Sequence, residues 1–229
     1  MDGPTPILVS WSGGKDSAWM LHVLRGDPRW RVVALVTTIT QEFDRVSIHG
    51  LRRGILQAQA EAAGLPVIEA LLPAGPDNAR YEAAFARALE TARERWPGLR
   101  HVAFGDLFLA DIRAWREALC ARLGWTPEFP LFGADTAALA RAMLAGGLRA
   151  TLCCVDTTQL DGAFAGRTFD TALLEALPGA VDPCGERGEF HTCVTAGPMF
   201  AHALDLLAGE RVLRDGRFLY CDLALRAPS

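Results

Sequence analysis

The sequence predicts an α/β protein in which a doubly wound parallel sheet is followed by a smaller C-terminal α+β unit. Three observations carry this. Strand-like apolar runs alternate with helical spacings through the first half of the chain, the rhythm of parallel strands joined by crossover helices. One run, Val32-Val33-Ala34-Leu35-Val36, is unbroken, as in a strand buried on both faces. Near the end, Asp215-Gly216 separates two further runs, a residue pair that tolerates the positive φ of a type I′ hairpin turn. The expected division is 1–125 for the sheet domain and 126–229 for the smaller one.

Ile7 to Ser10 is the first expected strand, and Ser17 to about Leu24 is a helix apolar nearly all round, hence buried. Arg31 to Thr38 is the second strand. From Ile48 to Ala63, Leu51, Ile55, Ala58 and Ala62 follow helical spacing, and Gly64 with Pro66 ends the helix. Val67 to Leu72 is the third strand. Asn78 is read as the cap of a long helix with the core stripe Tyr81, Ala84, Phe85, Ala88, Leu89, Ala92 and Trp96, stopped by Pro97-Gly98. His101 to Phe104 is the fourth strand and runs into Gly105-Asp106. Asp111 is read as capping the next helix, which Gly124 closes. Pro127, Pro130 and Gly133 read as a stiff connector and mark the boundary. Beyond it, Asp135 caps a helix ending at Gly146-Gly147, Ala150 to Val155 is a strand, and Phe169 to Leu177 is a short helix. The hairpin from Arg211 to Leu225 completes the second unit's sheet.

Half of the 229 residues are hydrophobic, 22% are charged and the net charge is -4. That composition suits a globular core and argues against a nucleic-acid binder held by its overall field. No segment reads as a signal peptide and no apolar run is long enough to span a membrane. The expected location is cytoplasmic, with no membrane partner, and a homo-oligomer stays open. The six cysteines form no Cys-x-x-Cys pair and no zinc spacing, so reduced thiols are expected, with Cys184 and Cys193 left open because they flank a motif.

Chemistry starts at Val9-Ser10-Trp11-Ser12-Gly13-Gly14-Lys15-Asp16-Ser17, a strand running through a glycine-rich turn into a helix. Bare Gly13 and Gly14 let backbone amides converge on an anion, Ser12 and Ser17 add hydroxyls, and Lys15 adds a point charge. The spacing fits neither a Walker A loop nor a dinucleotide fingerprint. Lys15 is the one lysine in a chain with 22 arginines, and an ammonium fits a phosphate cradle that a guanidinium would overfill. A second stretch, Asp182-Pro183-Cys184-Gly185-Glu186-Arg187-Gly188-Glu189-Phe190-His191-Thr192, places two carboxylates between glycines that let them turn inward together.

Ser-Gly-Gly-Lys-Asp-Ser resembles the pyrophosphate loop of the N-type ATP pyrophosphatases. Gly-Glu-x-Gly-Glu-Phe-His-Thr resembles the C-terminal signature of the diphthine-ammonia ligase family. Gln59 to Pro66, Phe104-Gly105-Asp106, Trp115-Arg116-Glu117 and Phe129 to Phe132 add weaker matches, so the likeness runs from Val9 to about Thr195. Arg187 departs from the expected Gly or Asn, and His191 from Glu. The resemblance implies an adenine nucleotide alpha hydrolase-like fold and ATP-dependent amide formation: a carboxylate is adenylated, pyrophosphate leaves, and ammonia displaces AMP. It implies ATP with Mg²⁺ at Ser10, Ser12, Gly13, Gly14, Lys15, Asp16 and Ser17, Asp16 being an outer partner of the metal. Gly105 and Asp106 would lie near the nucleotide, unless Asp106 is only a helix-entry cap. His49 would approach the adenosine or simply stand at a helix N-terminus. Arg113 and Arg116 would clamp the substrate carboxylate or a phosphate, although Glu117 offers Arg113 a surface partner. Glu186 and Glu189 would bind ammonium and take its proton, with His191 as shuttle or as a structural residue. Two other readings stay open: sulfur transfer through Cys184 or Cys193, and a nucleotide-binding regulator without turnover.

Overall fold

The unbroken apolar run becomes the spine of the first sheet. In the computed structural model, which describes residues 3–226, β2 (Trp30–Thr40) pairs in parallel with β1 (Thr5–Ser10) on one edge and β4 (Val67–Leu72) on the other. A short β3 (Arg45–Val46) adds antiparallel to the end of β2. On the far side of β1, β5 (His101–Ala103) and then β6 (Thr126–Glu128) continue in parallel. The chain thus moves outward from β1 and returns to its other side, which leaves a crevice at the carboxyl ends of β1 and β5, where such sheets bind ligands. Helices α1 (Lys15–Gly26) and α2 (Arg53–Ala63) cover one face; α3 (Asn78–Arg95) and α4 (Ala110–Arg122) cover the other.

Several expected boundaries shift for identifiable reasons. Helix α2 starts at Arg53, not Ile48, because Ile48 and Gly50 take φ of 69° and 68°, which no helix accommodates. Ile48 is 72% exposed; Leu51 mimics helical spacing because loop and helix bury into the same core. Asp77, not Asn78, caps α3, its carboxylate accepting from the Arg80 amide at 2.8 Å. Asp111 does not cap α4; it lies in the first turn, where a negative charge suits the helix dipole. Pro127 belongs to strand β6 rather than to a connector, since the sheet edge tolerates a residue without an N–H. Residues 126–128, just past the expected end of the first unit at residue 125, thus pair within the first sheet.

The second sheet is antiparallel, in the order β8 (Phe190–Ala196), β7 (Arg149–Asp156), β10 (Phe218–Leu225), β9 (Leu206–Arg214). Its hairpin turn has φ of 53° at Asp215 and 62° at Gly216, as the Asp-Gly pair requires. Asp135 and Asp170 cap α5 (Thr136–Ala145) and α6 (Thr171–Ala176). The core on the α1 and α2 face, with Ile7, Leu21 and Ile55, runs without a break into Leu152, Phe190 and Val194 of the second sheet. This shared core seats β8 beside the start of α1. No helix among the described residues is long and apolar enough to cross a membrane.

Candidate active site

The turn between Ser10 and Lys15 is shaped by contacts on both sides. Gly13 has φ of 79°, and a Cβ there would lie 2.7 Å from both Gln59 Oε1 and Leu51 Cδ1. A Cβ on Gly14 would meet His49 Cε1 at 2.7 Å. Neither glycine lines the cavity: they admit neighbouring protein groups rather than an anion on that side. Ser12 and Ser17 hydroxyls are 3.2 Å apart, and Ser17 donates to the Gly14 carbonyl at 3.0 Å. The Lys15 amide donates to Thr192 Oγ1 at 3.0 Å. The amides of Asp16 and Ser17 have no intrahelical acceptor, so the helix presents them with the positive end of its dipole.

Gln59 and β8 hold this turn from behind. Gln59 is 0% exposed, accepts from Trp11 Nε1 at 3.1 Å, and donates to the carbonyls of Gly13 and Val194 at 3.0 and 2.8 Å. The Val194 amide adds a second bond to the Gly13 carbonyl at 3.0 Å. Sequence reasoning gave neither Gln59 nor Thr192 a role, although each stands within a matched motif. The available signal was a glutamine on the buried side of α2, among Ile55, Leu56 and Ala62.

Lys15 is 2% exposed. Its ammonium donates to Asp16 Oδ2 at 2.9 Å and to the Cys184 carbonyl, and sits 5.3 Å from the Phe190 ring centre and 5.9 Å from that of Phe169. Burial opposes its charge, yet Asp16, with Cys184 and Glu186, outweighs burial and holds its pKa above the ordinary value. Asp16 Oδ1 is buried without a hydrogen-bond partner.

The two motif carboxylates part company. Glu186 lines the cavity, its Oε1 accepting from the Leu107 and Phe108 amides at 2.7 and 3.4 Å. Burial, with the nearby charges of Asp16 and Asp106, raises its pKa to about 7 against the pull of those amides. Glu189 is 2% exposed and does not line the cavity. Both its oxygens accept from its own loop, from the Asp182 and Arg187 amides, each at 2.9 Å. Glu189→Gln turns one acceptor into an amino group facing an N–H, and is expected to cost on the order of 1–3 kcal/mol. A lower urea midpoint at unchanged slope would show this; an unchanged midpoint would refute the clasp.

His49 and His191 line the cavity with ring centres 4.5 Å apart. Burial lowers the pKa of His49 to about 4 and that of His191 well below its ordinary value, so both are neutral at pH 7. His49 is carried not on a helix but on the turn before α2, with Nδ1 3.3 Å from the Thr192 carbonyl. Gly105 approaches α1 so closely that a Cβ would lie 3.2 Å from the Ser17 nitrogen. Asp106 faces Arg116 with 2.6 Å between Oδ2 and Nε, and both line the cavity. Arg113 does not line it; it pairs with Glu117 at 2.8 Å and covers the rings of Phe129 and Phe132.

These groups surround one cavity of about 1060 Å³, closed on one side by Arg214, Tyr220 and Asp222 of the hairpin. Tyr220 donates to the Ile48 carbonyl at 3.1 Å, and Asp222 pairs with Arg45 and Arg52 at 2.9 and 2.5 Å. The hairpin thereby latches the turn that carries His49. All six cysteines are free and buried. Burial pushes Cys184 and Cys193 up to about 12, which keeps both protonated and unreactive at neutral pH. Among the described residues no group of three or more His, Cys, Asp or Glu side chains could hold a metal ion.

Comparison with known proteins covers both units. Residues 6–127 match the family model of the diphthamide synthase N-terminal domain, and residues 135–223 that of the diphthamide synthase C-terminal domain. A diphthine--ammonia ligase of Schizosaccharomyces pombe is 25% identical over 239 aligned positions, which take in 96% of this chain and 39% of that protein. The chain thus spans about two fifths of that relative's length.

Proposed function

The chain belongs to the diphthamide synthase family, and from that membership and the cavity's geometry we propose that it is an ATP-dependent ligase forming an amide from a carboxylate and ammonia, with AMP and pyrophosphate as products. One observation carries the reading: the open N-terminus of α1, at the switch point of the sheet, shares a single cavity with Glu186 of the second unit. The first group suits a polyphosphate. The second, with a pKa raised to about 7, suits proton removal from an amine at neutral pH.

In this reading the phosphates lie against Ser12, Ser17 and the first-turn amides of α1. Fixed donors there stabilise the charge that develops as pyrophosphate departs. Gly105 and Asp106 flank the nucleotide, and Arg116, tied to Asp106, orients it or the acyl group. Mg²⁺ fits the donor set, because the unpartnered Asp16 Oδ1 offers the single carboxylate that this ion takes alongside phosphate oxygens; bound there, it would neutralise phosphate charge. Glu186 then receives the proton from the nitrogen that attacks the acyl adenylate. Neutral His191, which lines the same cavity, relays that proton toward solvent. Protonated, buried thiols at Cys184 and Cys193 argue against sulfur transfer.

The test is product analysis with Mg-ATP, ammonium and a panel of carboxylates, among them a protein-borne diphthine. AMP and pyrophosphate in equal amounts, dependent on one carboxylate, are expected. ADP and phosphate, or no turnover with any acid, would overturn the proposal.

A further inference from the structure

The lone lysine stands in the phosphate loop, yet its ammonium is already engaged elsewhere. Of its three donors, one goes to Asp16 and one to the Cys184 carbonyl, and two aromatic faces enclose it. Reaching a phosphate would mean leaving a carboxylate, a carbonyl and both ring faces, in a site where removing one partner of a buried charge is strongly unfavourable. Cys184 lies two residues before Glu186, in a loop closed by Asp182, whose Oδ1 accepts from the Cys184 and Glu186 amides at 2.9 and 3.2 Å.

Resting on the ligase reading, we propose that Lys15 is a positioning residue for the amine step: its ammonium ties the loop of residues 182–189 to the head of α1 and so places Glu186, while the α1 amides and the serines serve the phosphates without it. Two observations support the tie. The Lys15 backbone is fixed from the same side by Thr192, and Gly13 by Val194, so the lysine completes a row of links between turn and second unit. The Glu186 carboxylate, in turn, bonds the loop to the amides after β5. The 182–189 loop is therefore tied both to the head of α1 and to the segment after β5.

The experiment is Lys15→Met in the full chain, read by rapid quench with the accepted carboxylate. ATP binding and the pyrophosphate burst are expected to persist, while amide-forming turnover falls about 10²-fold, as for a catalytic group displaced by about 1 Å. Loss of the burst together with ATP binding would overturn the tie and return Lys15 to the phosphates; near-normal amide turnover would overturn it as well. If the variant does not fold, the wild type decides. Lys15 is the single lysine, so its acylation by an amine reagent can be followed by peptide mass spectrometry with and without Mg²⁺ and α,β-methylene-ATP. A rate unchanged by the nucleotide supports the tie; protection by it overturns the tie. A wild type that releases no pyrophosphate with any carboxylate would instead refute the ligase reading.

Discussion

Glu186→Gln is expected to lower amide-forming turnover by about 10²- to 10⁴-fold, the range of a lost general base, while the burst of pyrophosphate survives. Glutamine keeps an oxygen that can accept from the Leu107 amide, so the loop stays in place and the proton acceptor alone is removed. In the wild type, turnover at fixed free ammonia should rise with pH through about 7, as the carboxyl ionises. In the variant that inflection should vanish. Loss of the burst as well would assign Glu186 to nucleotide or acyl binding instead.

The same substitution has an opposite effect on stability. Burial, with Asp16 and Asp106, raises the Glu186 pKa from 4.5 to about 7. Below 4.5 the carboxyl is protonated whether the chain is folded or not, and contributes no difference. Between 4.5 and 7 the unfolded chain ionises first, so the fold is progressively penalised, fully so above 7. Glu186→Gln should therefore melt at a higher temperature than the wild type at pH 8, with the gap closing as pH falls toward 4.5. An acid retained at a cost in stability is the pattern expected of a working group.

Gly13→Ala is expected to lower AMP formation by about 10²-fold or more, as for a mispositioned loop, and to lose about 1–3 kcal/mol through overpacking. Its φ of 79° disfavours any side chain. The new methyl would also press on Gln59 Oε1 and Leu51 Cδ1. Gln59 has nowhere to go, because it holds Trp11, Gly13 and Val194 together. Gly54→Ala is the control: it lies in α2 with open space around it, and should be neutral or gain up to about 1 kcal/mol. Urea midpoints and AMP release on both variants check this. Equal behaviour of the two would show that the turn yields.

The glycine-rich turn was legible because its residues are local: glycines, hydroxyls and a lysine in nine consecutive residues at a strand-to-helix junction. The parallel sheet was legible because burial on both faces writes itself as an unbroken apolar run. What escaped depends on distant packing. Spacing alone suggested that Glu186 and Glu189 act together, but Gly185 and Gly188, with φ of 67° and 83°, turn successive acids in different directions. Arg113 and Arg116 share a helix face by spacing, yet Phe129 and Phe132 draw one to the surface and Asp106 draws the other inward. Strand β8 was hidden under its own motif, since acids and glycines read as a turn until the following Phe-His-Thr-Cys-Val pairs with β7.

The bonds from β8 to the loop also set a timetable for synthesis. The turn at residues 12–17 is made almost first, whereas Thr192 and Val194, which complete it, come some 180 residues later. When Glu128 has been added the first sheet has all its strands, but about 70 further residues must be translated before β8 is available, a wait of several seconds at ribosomal speed. Through that interval the Gly13 carbonyl has Gln59 but lacks the Val194 amide, and the Lys15 ammonium lacks the Cys184 carbonyl. A nascent or truncated chain can therefore build the first sheet, but not the finished turn at the head of α1; in the proposed reaction, adenylation waits until the unit that carries Glu186 has folded beside it.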